Sequence, residues 1–183
     1  MRLAEIQAGL LLGRGSLLHS SAAAAGGSGV VFLGPSGAGK STAVSTLRQR
    51  GWRPITEDKT VICRNSDDEP VIYPARADLL WAGSASPTAR LSAMAIVEIG
   101  SSPIVCRTQR TYFCYRAIRD NCLWADLEEL LDPRIERPAA RRDLVILAST
   151  IPTLVVSYNS KSSAQCDHIA KCLQRQLSTA SSI

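Results

Sequence analysis

Gly34-Pro35-Ser36-Gly37-Ala38-Gly39-Lys40-Ser41 has the spacing G-x-x-x-x-G-K-[ST], and each residue type in it answers a need of a bound polyphosphate. Glycines reach backbone angles that let successive N–H groups curl round one anion. A helix that begins inside the pattern adds the unsatisfied amides of its first turn and the positive end of its dipole. Lys40 supplies a point charge for β- and γ-phosphates, and the Ser41 hydroxyl suits a Mg²⁺ ligand. Gly34, Pro35, Ser36, Gly37, Ala38, Gly39, Lys40, Ser41 and Thr42 are therefore the candidate nucleotide-binding residues. The bland alternative is a glycine-rich turn carrying a surface lysine. The setting, after a strand-like run and before a helix-like one, argues against it.

A phosphate-binding loop does not name a reaction, because ATPases, GTPases and several kinds of kinase share it. The segment from Arg50 to Asp58 narrows the choice. A helix starting at the phosphates returns through Gly51 into a strand that ends in two adjacent acids. A strand that starts beside the far end of that helix runs back toward the phosphates. Glu57 and Asp58 are then expected near the γ-phosphate. There one carboxylate holds Mg²⁺, directly or through water, while the other accepts a proton from an attacking hydroxyl. Adjacent acids are also common on surface turns, so their placement decides between the two readings.

The elements needed to position these groups are legible as an α/β alternation. Leu10 to Ala25 reads as one or two short strands closing at the turn Gly26-Gly27-Ser28-Gly29, and Val30 to Leu33 as a buried strand. Ser41 to Arg50 reads as a helix ended by Gly51. Arg53 to Asp58 is a strand edge leading to a loop. Thr60 to Cys63 and Val71 to Tyr73 pair around the polar turn 65–70. Met94 to Ile99 and Thr153 to Tyr158 are strands. Asp126 to Leu131, Arg141 to Thr150 and Ala164 to Leu177 are helices, and Ser178 to Ile183 is expected to fray. The 183 residues suit a single domain over 1–183.

The stretch from Leu17 to Ile62 resembles the catalytic domain of HPr kinase/phosphorylase and its shorter HPr-kinase-like relatives. His19, Gly27, Gly34 to Ser41, Gly51 and the pair Glu57-Asp58 follow that family's order and spacing. A fainter likeness continues at Ser92 to Ile99 and at Ile151 to Leu177. The resemblance implies a P-loop kinase fold of the phosphoenolpyruvate-carboxykinase type, a mixed central sheet with flanking helices. It implies ATP- and Mg²⁺-dependent transfer to a serine hydroxyl of a small protein or peptide. Lys40, Asp58, Glu57 and His19 become the catalytic candidates, with Ser41, Asp58 and Glu57 toward the metal. Glu57 departs from the family's aspartate, which keeps the charge and lengthens the reach. Val97-Glu98-Ile99-Gly100 echoes the family's glycine- and arginine-rich segment only in part, with Glu98 as a second metal candidate. The chain begins about where the family's catalytic domain begins, so no separate N-terminal domain is expected.

Other features set the bounds. Lys plus Arg (21) against Asp plus Glu (16) gives +5, too mild for nucleic acid without a concentrated patch. Aromatics at 5% leave few stacking platforms for single strands. No stretch approaches a membrane span, no signal peptide is apparent, and the six cysteines read as reduced thiols, so a cytoplasmic protein is expected. Cys166, His168 and Cys172 form the one cluster of metal-like composition, but on a helix Cys166 leaves the face shared by the other two. Arg107, Arg110, Arg116 and Arg119, interleaved with Tyr112, Phe113 and Tyr115, suit an acidic peptide or transferring phosphoryl oxygens. A solvated face is the plainer account. Arg134, Arg137, Arg141 and Arg142 alternate with Glu136 and Asp143, which reads as surface ion pairs. Trp81 and Trp124 read as packing residues. Homo-oligomerisation is left open. Two further functions remain on the page: a kinase for a small metabolite such as free serine, and a nucleotide-binding regulatory module with little catalysis.

Overall fold

Small and β-branched residues dominate the segment from Gly15 to Leu33, and it forms three strands without an intervening helix. These are β1 (Gly15–His19), β2 (Ser21–Ala25) and β3 (Ser28–Leu33). The computed structural model describes residues 15–75, 88–108, 110–123, 137–159 and 161–180. After β3 come α1 (Lys40–Arg48), β4 (Arg53–Thr56), β5 (Lys59–Arg64), β6 (Pro70–Pro74) and the long β7 (Ala89–Ile99). Then follow β8 (Ile104–Thr108), α2 (Thr111–Asp120), α3 (Arg137–Thr150), β9 (Thr153–Tyr158) and α4 (Ser163–Ala180). The fold is a mixed central sheet with flanking helices.

The nine strands join in the order β1-β5-β6-β7-β3-β2-β4, with β9 on β7 and β8 on β9. β3 and β9 both run parallel to β7, and their C-terminal ends lie at one edge of the sheet. β4 is antiparallel to β2, which is antiparallel to β3, so β4 also ends at that edge. The strand order brings β1 and β4 to opposite ends of its path, yet the chain connects β1 to β2 through Ser20 alone. The sheet therefore curls until those corners meet. Ser20 N–H donates to Asp58 O at 2.9 Å, and the Thr60 hydroxyl donates to Ser20 O at 3.2 Å.

Side-chain alternation along β3 builds two core layers. Val30 and Phe32 pack among Ala43, Val44 and Leu47 of α1 and Ile169, Ala170 and Leu173 of α4. Val31 and Leu33 face the other way, among Cys114 and Ile118 of α2 and Leu144, Leu147 and Ala148 of α3. Burying each large apolar side chain contributes roughly 1.5–3 kcal/mol, so the strand that feeds the glycine-rich loop is clamped from both faces.

Several elements extend past their sequence-based bounds, and others were not foreseen. β7 begins at Ala89 rather than Met94, where its first residues pair with β6. β8 and α2 lie in a segment for which no strand or helix was expected. Ser178 to Ala180 continue α4 instead of fraying, since Gln174 to Ala180 contains neither glycine nor proline. Asp143 is not a surface group. It is buried and accepts from Arg64 Nε at 3.2 Å, joining α3 to β5. Burial raises its carboxyl pKa, against the pull of Arg64. The expected helix at Asp126 to Leu131, Trp81, Trp124, Arg134 and Glu136 lie outside the described residues. No helix among the described residues is long and apolar enough to cross a membrane.

Candidate active site at the glycine-rich loop

The loop between β3 and α1 is held at both ends by contacts that depend on glycine. Gly34 has φ 146°, and a Cβ there would stand 2.5 Å from the Val97 carbonyl oxygen of β7. A side chain would force the two strands apart. Gly39, at φ 104°, caps α1 in the left-handed region and offers no side chain to its first-turn amides, so those N–H groups remain for a ligand. Behind the loop the Tyr158 hydroxyl, on a fully buried side chain, donates to Gly39 O at 2.8 Å.

Lys40 is buried at the start of α1, and its ammonium donates to Gly34 O at 2.7 Å and Pro35 O at 3.1 Å. The cation thus lies across the loop's opening. Burial pulls its pKa below the ordinary lysine range, and the Asp58 carboxylate opposes that fall. Ser41 joins the loop to the acidic corner: its hydroxyl donates to Glu57 O at 3.2 Å, and Ser21 donates to the same carbonyl at 2.7 Å. Asp58 Oδ1 lies 3.5 Å from His19 Nε2, with both side chains open to solvent.

His19, Lys40, Ser41, Asp58 and the Glu57 main chain therefore meet at one corner of the sheet, through β1, α1 and the β4–β5 turn. Glu57 and Asp58 line a pocket of about 430 Å³ of their own, with β4 and Ala75. His19 ends β1, which pairs with β5 rather than with the strand before the loop. Gly34, Pro35 and Ser36 open onto a cleft of about 500 Å³ that also involves His19, Glu98 and the α2 residues Phe113, Arg116 and Asp120. Thr42 stands apart from that cleft. It lines a second one of about 590 Å³, between α1 and the start of α4. Of the four clustered arginines, Arg116 alone lines the first cleft, while Arg119 is held by Asp120 at 2.6 Å.

Asn121 has no counterpart among the sequence-based candidates. Its side-chain oxygen accepts from Gly34 N–H at 3.2 Å, its amide donates to Ala117 O at 2.8 Å, and its carbonyl accepts from His19 N–H at 2.8 Å. One residue at the end of α2 thereby ties the loop to β1. Ser21 and Tyr158 were missed for the same reason: each acts through a main-chain carbonyl, which leaves no sequence pattern.

By residue type, the Ser41 hydroxyl and the Glu57 and Asp58 carboxylates are hard oxygen donors of the kind Mg²⁺ selects. No group of three or more His, Cys, Asp and Glu side chains suited to a metal occurs among the described residues. Mg²⁺ in nucleotide sites takes much of its coordination from phosphates and water, so the donor set fits such an ion. On α4, His168 Nε2 and Cys172 Sγ lie 3.5 Å apart, while Cys166 is buried in the core.

The chain matches no protein-family model and no curated protein. Its structure bears a weak likeness to that of the Hpr(Ser) kinase/phosphatase from Coxiella burnetii. The two share 10% identity over 87% of this chain and 95% of that one, with a TM-score of 0.46.

Proposed function

We propose that residues 1–183 act as a single P-loop kinase domain of the HPr-kinase-like type. It moves the γ-phosphoryl group of ATP, with Mg²⁺, to a serine hydroxyl of a protein or peptide. The observation that carries this reading is the double hydroxyl tie on Glu57 O, from Ser21 and Ser41. It holds the acidic turn against the first turn of α1, within the field of Lys40.

In this reading the loop amides and Lys40 hold the polyphosphate, the ammonium leaving the Gly34 and Pro35 carbonyls for the β- and γ-oxygens. Ser41, Glu57 and Asp58 hold Mg²⁺, which when bound neutralises charge on the phosphate oxygens. Asp58 accepts the serine proton as the serine oxygen bonds to phosphorus and the bond to ADP breaks. His19, 3.5 Å from Asp58, orients that carboxylate. Incubating the protein with γ-labelled ATP, Mg²⁺ and serine-bearing proteins, peptides and free serine tests the proposal. Label on a macromolecular serine is expected. Label on free serine alone would assign a metabolite kinase, and label that never leaves ATP for a hydroxyl would leave only a nucleotide-binding module.

A further inference from the structure

The cleft beside the loop is continuous with a helix whose charge and shape the transfer chemistry does not use. Phe113, Arg116, Ala117 and Asp120 form one stripe of α2 along the cleft. Toward the helix start the surface becomes basic and aromatic. Arg107 and Arg110 are exposed, and neither guanidinium has a hydrogen-bond or ion-pair partner among the described residues. Tyr112 is 73% exposed and Phe113 36%. No acidic residue sits in the first turn, so the helix dipole adds to the same positive field. At the other end Asp120 and Glu98 face the cleft, and Arg119 holds the Asp120 carboxyl below its ordinary range. Asp120 is ion-paired with both Arg119, at 2.6 Å, and Arg116, at 3.5 Å, so the positive charge left for a partner lies at the helix start.

Exposed tyrosine, phenylalanine and arginine are the residue types that anchor polypeptide partners. Two guanidiniums without partners among the described residues select for carboxylates. We propose that α2 is the docking helix for the phosphoryl acceptor, and that the acceptor is an extended, acidic polypeptide segment whose serine enters the cleft beside Gly34. The serine's role rests on the kinase reading above, whereas the docking itself does not. Ten helical residues span about 15 Å, which about five extended residues cover. The preferred acids therefore lie roughly four or five residues from the serine, where they reach Arg107 and Arg110. Acids directly beside the serine lie out of reach of both guanidiniums and gain nothing from them.

Fluorescence anisotropy without nucleotide tests the docking, using three labelled serine peptides. One carries glutamates four and five residues from the serine, one carries them beside it, and one carries lysines at the distant positions. The first is expected to bind at least about tenfold tighter than the others, with an affinity that falls as salt rises. Arg107→Glu and Arg110→Glu, both on exposed positions, are expected to remove that preference while ATP affinity, measured alongside, holds. Equal binding of the three peptides, or a preference that survives both reversals, would overturn the proposal. So would free serine accepting phosphate while no peptide binds. Acidic-peptide binding without any phosphoryl transfer would keep the docking helix and remove the kinase reading instead.

Discussion

The glycine-rich loop has two rims of different construction. One is made by the chain that follows it: α1 starts at Lys40, turns back at Gly51, and delivers Glu57 and Asp58 along β4 within a single local excursion. The other is gathered from far along the sequence, with His19 from β1, Glu98 from β7, and Phe113, Arg116 and Asn121 from α2 and its end. The local rim carries Lys40, Glu57 and Asp58, residue types suited to phosphoryl chemistry. The distant rim offers a half-exposed aromatic ring, Arg116 beside Asp120 and Glu98, and a side-chain amide, residue types suited to holding a partner in place. On the proposed reading, chemistry belongs to a contiguous unit built from one helix and one strand, and recognition belongs to a helix that is tied to that unit through Asn121.

Substitutions separate the rims. The largest effect is expected from Lys40→Ala, which removes the cation across the loop's opening. Transfer should fall by about a thousandfold or more and ATP affinity by at least about tenfold, read by a turnover assay beside isothermal titration. Asp58→Asn comes next. A loss of about 10²–10⁴ in turnover is expected, with ATP affinity changed by no more than about threefold. Loss of binding equal to the loss of turnover would show that Asp58 holds nucleotide rather than moves a proton.

On the distant rim, Asn121→Ala removes the tie between α2 and the N–H of Gly34, the first residue of the loop. We expect about tenfold lower kcat/KM for the peptide acceptor, a smaller change in ATP affinity, and roughly 1 kcal/mol less stability in urea melts. A drop in ATP affinity as large as the drop in kcat/KM would show that the two rims are not separable.

The smallest effect is a pH dependence. Burial pushes the thiols of Cys63, in β5, and Cys122, beside Asn121, up to about 12. The unfolded chain ionises these thiols from about pH 8.5, before the folded protein does. Their contribution to stability is therefore complete below that point and lost as pH rises toward the folded values. Native protein should lose on the order of 1 kcal/mol per pH unit per thiol above pH 9, and Cys63→Ala and Cys122→Ala should each flatten that slope in thermal melts.

The local rim was readable before any coordinates because its parts are neighbours in the chain. The spacing from Gly34 to Ser41, the stop at Gly51 and the acids eighteen residues beyond Lys40 describe one strand–helix–strand excursion whose lengths leave little freedom. The expected ends of β9 and the pairing of β5 with β6 came from the same local information, β-branched runs around polar turns. α2 was not readable. It opens with Thr111, Tyr112 and Phe113, weak helix formers, and buries only Cys114 and Ile118, so packing on α3 and the sheet makes the helix. Asp143 misled for a related reason: among arginines it looks solvated, but its partner is Arg64, far off in sequence on β5.

The amino-acid sequence by itself determined the glycine-rich loop and the acidic strand that returns to it, because backbone angles and residue counts are enough to build both. Only the tertiary structure decided that Ser20 and Asp58 close the curled sheet and that Asn121, 87 residues from Gly34, holds the loop's first amide. It alone decided which arginines face the cleft. Those choices depend on which surfaces come together when the two core layers form, and such long-range contacts leave no spacing for a sequence to display.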